Sequence, residues 1–201
     1  MSYASAEHDR MIAAMLMPCV VVGVDLASAT VRVSNGAWTS AWVRWHSLAA
    51  GKARHWRVPS LNEQGVLFNP SGQAGMGTFI PGLYGNAGAQ PDNRDHVEVW
   101  RFDDGGSLVY DWQANSYSIT LPTGTVTIKV GSTEVVVTDD AVRAKVGGTE
   151  AQLLPEAATV KSAAIKLVGA VVVDGPLHVT QTITSAANIL ATGSSDNHHT
   201  H

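Results

Sequence analysis

The chain ends in Ser194-Ser195-Asp196-Asn197-His198-His199-Thr200-His201, with His199 and His201 two residues apart. In an extended chain, residues i and i+2 point to the same side. Two imidazoles on one side of one strand are half of a four-ligand coordination sphere. Three copies of the chain meeting on a three-fold axis would offer six imidazoles to one ion. The competing reading is a cloning tag or a plain tail. A tag is usually an unbroken histidine run, and this one is broken.

Other residues with chemical potential read as structure. Asp103, Asp104 and Asp111 are carboxylates close in sequence, and a carboxylate pair can hydrolyse glycosides. Asp-Asp-Gly, however, is far more often a turn. Cys19 lies in the apolar run Pro18-Cys19-Val20-Val21-Val22 and has no evident histidine partner, so it reads as an inert core thiol. No Gly-x-Ser-x-Gly nucleophile elbow occurs. No enzyme and no small-molecule substrate are expected. The stretch from Arg44 to Arg57 combines Trp45 and Trp56 with Arg44, Lys52, Arg54 and Arg57, flanked by Trp42, and contains His46 and His55. Such a surface could stack oligonucleotides or sugars. The favoured alternative places Trp42, Trp45 and Trp56 in a core and in subunit contacts.

The elements that would carry these residues fall into two compositional parts. All six tryptophans lie between Trp38 and Trp112, and no aromatic residue follows Tyr117. A helix is expected from Ser5 to Met15, with Ser5 as its cap. Strands are expected at 19–24, 30–33, 41–45, 65–69 and 77–81, separated by Gly, Pro and Asn. Five strands with a long central connection suit an OB-fold. Charged residues make up 15% of the 201-residue chain, against about 25% in typical soluble proteins. Burial between subunits would account for so sparse a charged surface. The net charge of −4 argues against a nucleic-acid partner. No apolar run reaches membrane-spanning length, and no signal peptide is expected.

The second part alternates apolar and polar residues at 126–130 and 142–146. The alternation continues, with Val-rich runs, through 165–167, 171–173 and 177–183, where Gln181 falls on the apolar face. Alternation means strands with one buried face. The buried residues are small or β-branched, which suits a thin multi-chain prism. A lone chain would also leave long unpaired edges, which soluble proteins avoid. His178 lies on the polar face, where exposure is expected.

Several segments then resemble one family. Ser40-Ala41-Trp42-Val43-Arg44-Trp45, Trp56-Arg57-Val58-Pro59-Ser60, Asn62-Glu63-Gln64-Gly65-Val66-Leu67, Ser71-Gly72 and Phe79-Ile80-Pro81-Gly82-Leu83-Tyr84 look like the N-terminal domain of phage baseplate assembly protein V. Asp103 to Asp111 and Gly124-Thr125-Val126-Thr127-Ile128 resemble the start of that family's stalk. The likeness runs in order to the terminal His-x-His.

The resemblance implies an all-β homotrimer. Its parts would be an N-terminal helical segment (1–17), an OB-fold barrel (18–92), an intertwined triple-stranded β-helix (93–190) and a metal-bearing apex (191–201). It implies the central, membrane-piercing spike of a contractile tail, located in the virion after assembly in the host cytoplasm. Its partners would be baseplate hub and tail tube proteins and the host outer membrane. Carried over residue by residue, His199 and His201 match the family's pair, and His198 lies outside it. Six imidazoles argue against four-coordinate zinc. Imidazole also suits iron and nickel, and the resemblance selects one iron ion shared by three chains. Residues 90–105 leave no room for the lysozyme domain of some relatives. Two alternatives stand beside this reading: an OB-fold glycan or oligonucleotide module on a fibrous trimerisation tail, and a type VI or pyocin-type spike.

Overall fold

The computed structural model of the protein describes residues 3–187. The chain divides into two compact units, Met1–Pro122 and Thr123–His201. A helix, α1 (Tyr3–Ala13), opens the first. Ser5 stands inside this helix, not at its cap, and α1 has no fully buried side chain.

Five strands follow: β1 (Leu16–Asp25), β2 (Thr30–Ser34), β3 (Val43–Trp45), β4 (Gln64–Phe68) and β5 (Thr78–Leu83). They close into a barrel in the order β1-β2-β3-β5-β4. β3 and β5 run parallel, and every other neighbouring pair is antiparallel. This is the OB-fold arrangement expected from the strand spacing. Alternation along the strands sends Cys19, Val21, Val31, Val33, Val43, Leu67 and Phe79 inward as one buried cluster. Burial pushes the Cys19 thiol up from its ordinary value, in keeping with an inert core residue.

The tryptophans depart from expectation. Among the described residues the barrel core contains none; Trp45 packs against it while only partly buried. Trp42 and Trp56 remain 49% and 61% exposed. The reason is volume: a five-stranded barrel with Phe79 at its centre is filled by aliphatic side chains, and the indoles are left to its outer surface.

Two contacts fix the barrel's lower edge. Gly65 sits directly over Phe79, and a methyl group there would fall on the Ile80 carbonyl oxygen and into the Phe79 ring. Asn69 is fully buried, donates its side-chain amide to the Ala14 carbonyl at 2.8 Å, and donates its backbone N–H to Met15 at 2.8 Å. These bonds pin the chain leaving α1 to the end of β4.

The first unit also contains a three-stranded antiparallel sheet, β6 (Val97–Arg101), β7 (Ser107–Asp111) and β8 (Ser116–Thr120), in that order. These strands fall within the first compact unit, whereas the sequence reading begins the stalk at residue 93. The second unit is a five-stranded meander: β9 (Val126–Val130), β10 (Thr133–Val137), β11 (Val142–Val146), β12 (Thr149–Leu154) and β13 (Ala157–Lys161). Gly131 (φ 58°) and Gly147 (φ 57°) supply the left-handed conformation that two-residue hairpins need. Such short turns make each strand pair with its own neighbour in sequence. Over 126–161 each strand therefore pairs with its sequence neighbour in the same chain.

The strands expected at 165–167, 171–173 and 177–183 do not form; residues 162–187 contain no strand. The alternation persists there, but among the described residues no strand of the same chain pairs with it.

Prediction: Gly65→Ala overpacks the Phe79 site and destabilises the barrel by about 1–3 kcal/mol. A urea titration followed by tryptophan fluorescence should show a lower midpoint, and an unchanged midpoint would contradict the packing described.

Candidate functional site

The register of the second unit sorts its side chains by face, since residues directly opposite in a ladder share a face. Ile128, Val135, Ala144, Ala151 and Val160 form one row across all five strands. Val126, Val137, Val142, Leu153 and Ala158 form a parallel row on the same face. The opposite face carries the row Lys129, Glu134, Lys145, Glu150, Lys161, in which the charge alternates at every step. Opposite charges across strands contribute a few tenths of a kcal/mol each when exposed. Their larger effect is to mark the wet face and hold the register, because a one-residue slip would turn the charges onto the apolar side.

The apolar face is uncovered: Ile128 is 63% exposed and Val160 59%. A single sheet layer with an open apolar face cannot form a core by itself. The exposed apolar side chains continue through Ile165, Leu167, Val171, Val173, Leu177, Val179 and Ile183. This surface is built to be covered by protein.

The first unit has a polar cluster where the chain enters β6–β8. Asp111 Oδ1 accepts the backbone N–H groups of Ala114 (2.8 Å) and Gln113 (3.0 Å). Its Oδ2 lies 3.2 Å from Arg94 Nη1 and 3.9 Å from His96 Nε2. The Ala114 N–H holds the Asp111 carboxyl below its ordinary range, against partial desolvation, with His96, Gln113 and Arg94 acting in the same sense. Arg94 also bonds Asp92 and holds that carboxyl far below its usual value. Asp104 accepts the Gly106 N–H at 2.9 Å, so the Asp103–Gly106 segment is the expected turn.

On the barrel, Arg32 stacks over Trp42 at 5.7 Å from the ring centroid, and Trp45 meets Trp56 at 5.3 Å. The loop between them is closed by the Ser47 hydroxyl donating to the His55 carbonyl at 2.6 Å and by the His55 N–H donating to Ala49 at 2.9 Å. His46 is exposed, and its backbone N–H is tied to the Phe79 carbonyl.

His199 and His201 lie outside the described residues. Among the described residues no group of three or more His, Cys, Asp or Glu side chains is placed to hold a metal ion. His178 is exposed, as expected for a polar-face residue, and Gln181 is exposed outside any strand. No helix among the described residues is long and apolar enough to cross a membrane.

Comparison with known proteins gives two matches, the second of which begins inside the first unit and runs through the second. Residues 17–84 match the family described as the type VI secretion system/phage-baseplate injector OB domain. Residues 98–188 match the Gp138 β-helical trimerization domain. The chain thus carries, in this order, one segment similar to the injector OB domain and one similar to the trimerization domain. Among individual proteins, it is similar to the spike protein of Escherichia phage P2, with 26% identity over 132 residues. That alignment takes in 65% of this chain and 62% of the phage P2 protein, so the chain is matched to less than two thirds of its relative.

Sequence reasoning missed two features of the first unit. One is the Asp92–Arg94–Asp111 cluster, in which Arg94 and Asp111 are 17 residues apart and meet only through the hairpin. The other is an aromatic face on β6–β8. Its signal was present as the spacing Glu98-x-Trp100, Leu108-x-Tyr110 and Tyr117-x-Ile119.

Prediction: because the Asp111 carboxyl is lowered in the folded state, it stabilises the fold above its ordinary value of about 3.9 and ceases to do so as pH falls through the lowered one. Asp111→Asn should therefore melt below the wild type at pH 7, with the gap closing progressively below about pH 4. A gap of constant size from pH 7 to pH 2 would contradict this.

Proposed function

We propose that this chain is the central spike of a contractile-tail baseplate, acting as a homotrimer that is driven through the host outer membrane. The observation carrying this reading is the β9–β13 sheet, with two uncovered apolar rows on one face, in a chain that also carries an injector-type OB barrel. Three such faces turned toward a common axis bury one another and leave the Lys–Glu rows in water. The match to a trimerization domain supports three as the number. Residues 162–187, apolar but without a strand partner in their own chain, support an interleaved tip in which each chain pairs with its neighbours. A shaft held by cross-strand ladders carries axial force on many hydrogen bonds together.

The role is mechanical, not enzymatic. Asp104 Oδ1 accepts the Gly106 N–H and Asp111 Oδ1 those of Gln113 and Ala114, which supports a turn-forming role for both carboxylates. The barrel would seat the spike on the hub and tail tube, and the assembled virion is its place of action. At the apex, His199 and His201 of three chains would present six imidazole nitrogens, a donor set suited to a six-coordinate iron ion. Six protein ligands leave no open position for substrate, so the ion would clamp the three chain ends.

One observation favours a second reading: Trp42 and Trp56 are exposed, with Arg32 stacked on the former, as on an OB-fold surface that binds sugars or single strands. Saturable binding of an oligosaccharide or oligonucleotide that is lost in Trp42→Ala and Trp56→Ala would favour it. No such affinity is expected of a spike.

Two tests address the main reading. Antibodies against residues 126–161 should label the tip of the tail in intact particles; label confined to the head or sheath would refute the assignment. Elemental analysis should find about one iron per three chains, lost in His199→Ala/His201→Ala. Undiminished iron in that variant would refute the apex.

A further inference from the structure

The β6–β8 sheet shows the same facial sorting as the meander, with different chemistry. Register places Glu98 opposite Tyr110 and Tyr110 opposite Tyr117, and in the next same-face row Trp100 opposite Leu108 and Leu108 opposite Ile119. These six side chains share one face. The other carries Arg101, Asp111, Ser107, Ser116, Ser118 and Thr120 around the half-buried Val97, Val99 and Val109. Trp100, Tyr110 and Tyr117 are 47%, 45% and 61% exposed, around an open groove of about 190 Å³ lined by them with Glu98 and Leu108. The groove is ordered from within the chain: Tyr110 and Tyr117 lie 6.4 Å apart, His55 meets Trp100 edge-on at 6.3 Å, and Trp100 Nε1 donates to Glu98 at 3.0 Å.

We infer that this aromatic face closes on the same face of two further copies of the chain, forming a collar that confines three Glu98 carboxylates. The inference rests on the trimeric reading above. The matched trimerization stretch begins at Glu98 and runs unbroken through β13, so this face and the apolar face of the meander belong to one continuous assembly segment. The three aromatics, about half exposed, would bury on the order of 700–1,100 Å² over three chains. That falls below the roughly 1,200 Å² of a stable interface, so the collar works with the meander and not alone. Glu98 is the one charged residue on the face. Its confinement with two copies of itself opposes closure, because like charges brought together and stripped of water repel.

The test uses the full chain and measures the trimer's dissociation on dilution by light scattering. Tyr117→Lys places a charge on the collar face and should raise the concentration for half-dissociation at least tenfold. Ser118→Lys, one residue away on the opposite face, should leave it unchanged. Glu98→Gln keeps an acceptor for Trp100 Nε1 and should lower that concentration. A trimer equally indifferent or equally sensitive to Tyr117→Lys and Ser118→Lys would overturn the collar. A Glu98→Gln trimer no tighter than wild type would overturn the confinement of Glu98. A monomeric wild type would overturn the trimeric reading and the collar together.

Discussion

An antiparallel sheet satisfies its backbone within itself, but its side chains obey a stricter rule: each apolar face needs a cover. In β9–β13 this constraint is at its plainest, because the register puts every Val, Ile and Ala of two cross-strand rows on one side and an unbroken Lys–Glu alternation on the other. Among the described residues of the unit no second layer receives the apolar side. Everything inferred about assembly follows from that mismatch between a satisfied backbone and an unsatisfied face. Three identical faces around an axis resolve it with no additional chain.

The barrel answers a different demand. Its core is self-sufficient, with Phe79 enclosed by aliphatic residues and Gly65 making room for the ring. It has no need of copies to fold, and its surface is free to differ from face to face. The tryptophans sit on that surface because the interior is already full. Between barrel and meander, β6–β8 combines both principles: a polar cluster around Asp111 fixes its end, and an aromatic face remains open. The order of these parts, self-contained barrel, half-covered sheet, wholly dependent strands, is a gradient of increasing reliance on neighbouring chains.

Legibility in the sequence followed the same gradient. The five barrel strands were readable within a few residues, since short apolar or alternating runs are mostly set off there by Gly, Pro or Asn. The strands at 126–130 and 142–146 were readable to the residue. Those at 133–137, 149–154 and 157–161 were not singled out: Val135-Val136-Val137 reads as an apolar run without alternation, and Ala-rich strands give a weak period-two signal. The stretches at 165–167, 171–173 and 177–183 have the pattern of strands but lack a partner in their own chain, and pattern alone cannot say where the partner is. The core position of the tryptophans was misjudged because residue size argues for burial without regard to the room available. The Asp92–Arg94–Asp111 cluster was invisible, as it is created by the hairpin. The His199 and His201 pair was legible from spacing and resemblance alone, and it lies beyond the described residues.

The central claim, that the open apolar faces of three chains cover one another, is tested most directly by the mass of the intact assembly. With a chain of 21.2 kDa, native mass spectrometry of the full chain should give one dominant species of about three chain masses at micromolar concentration. A dominant species at one chain mass would contradict the account.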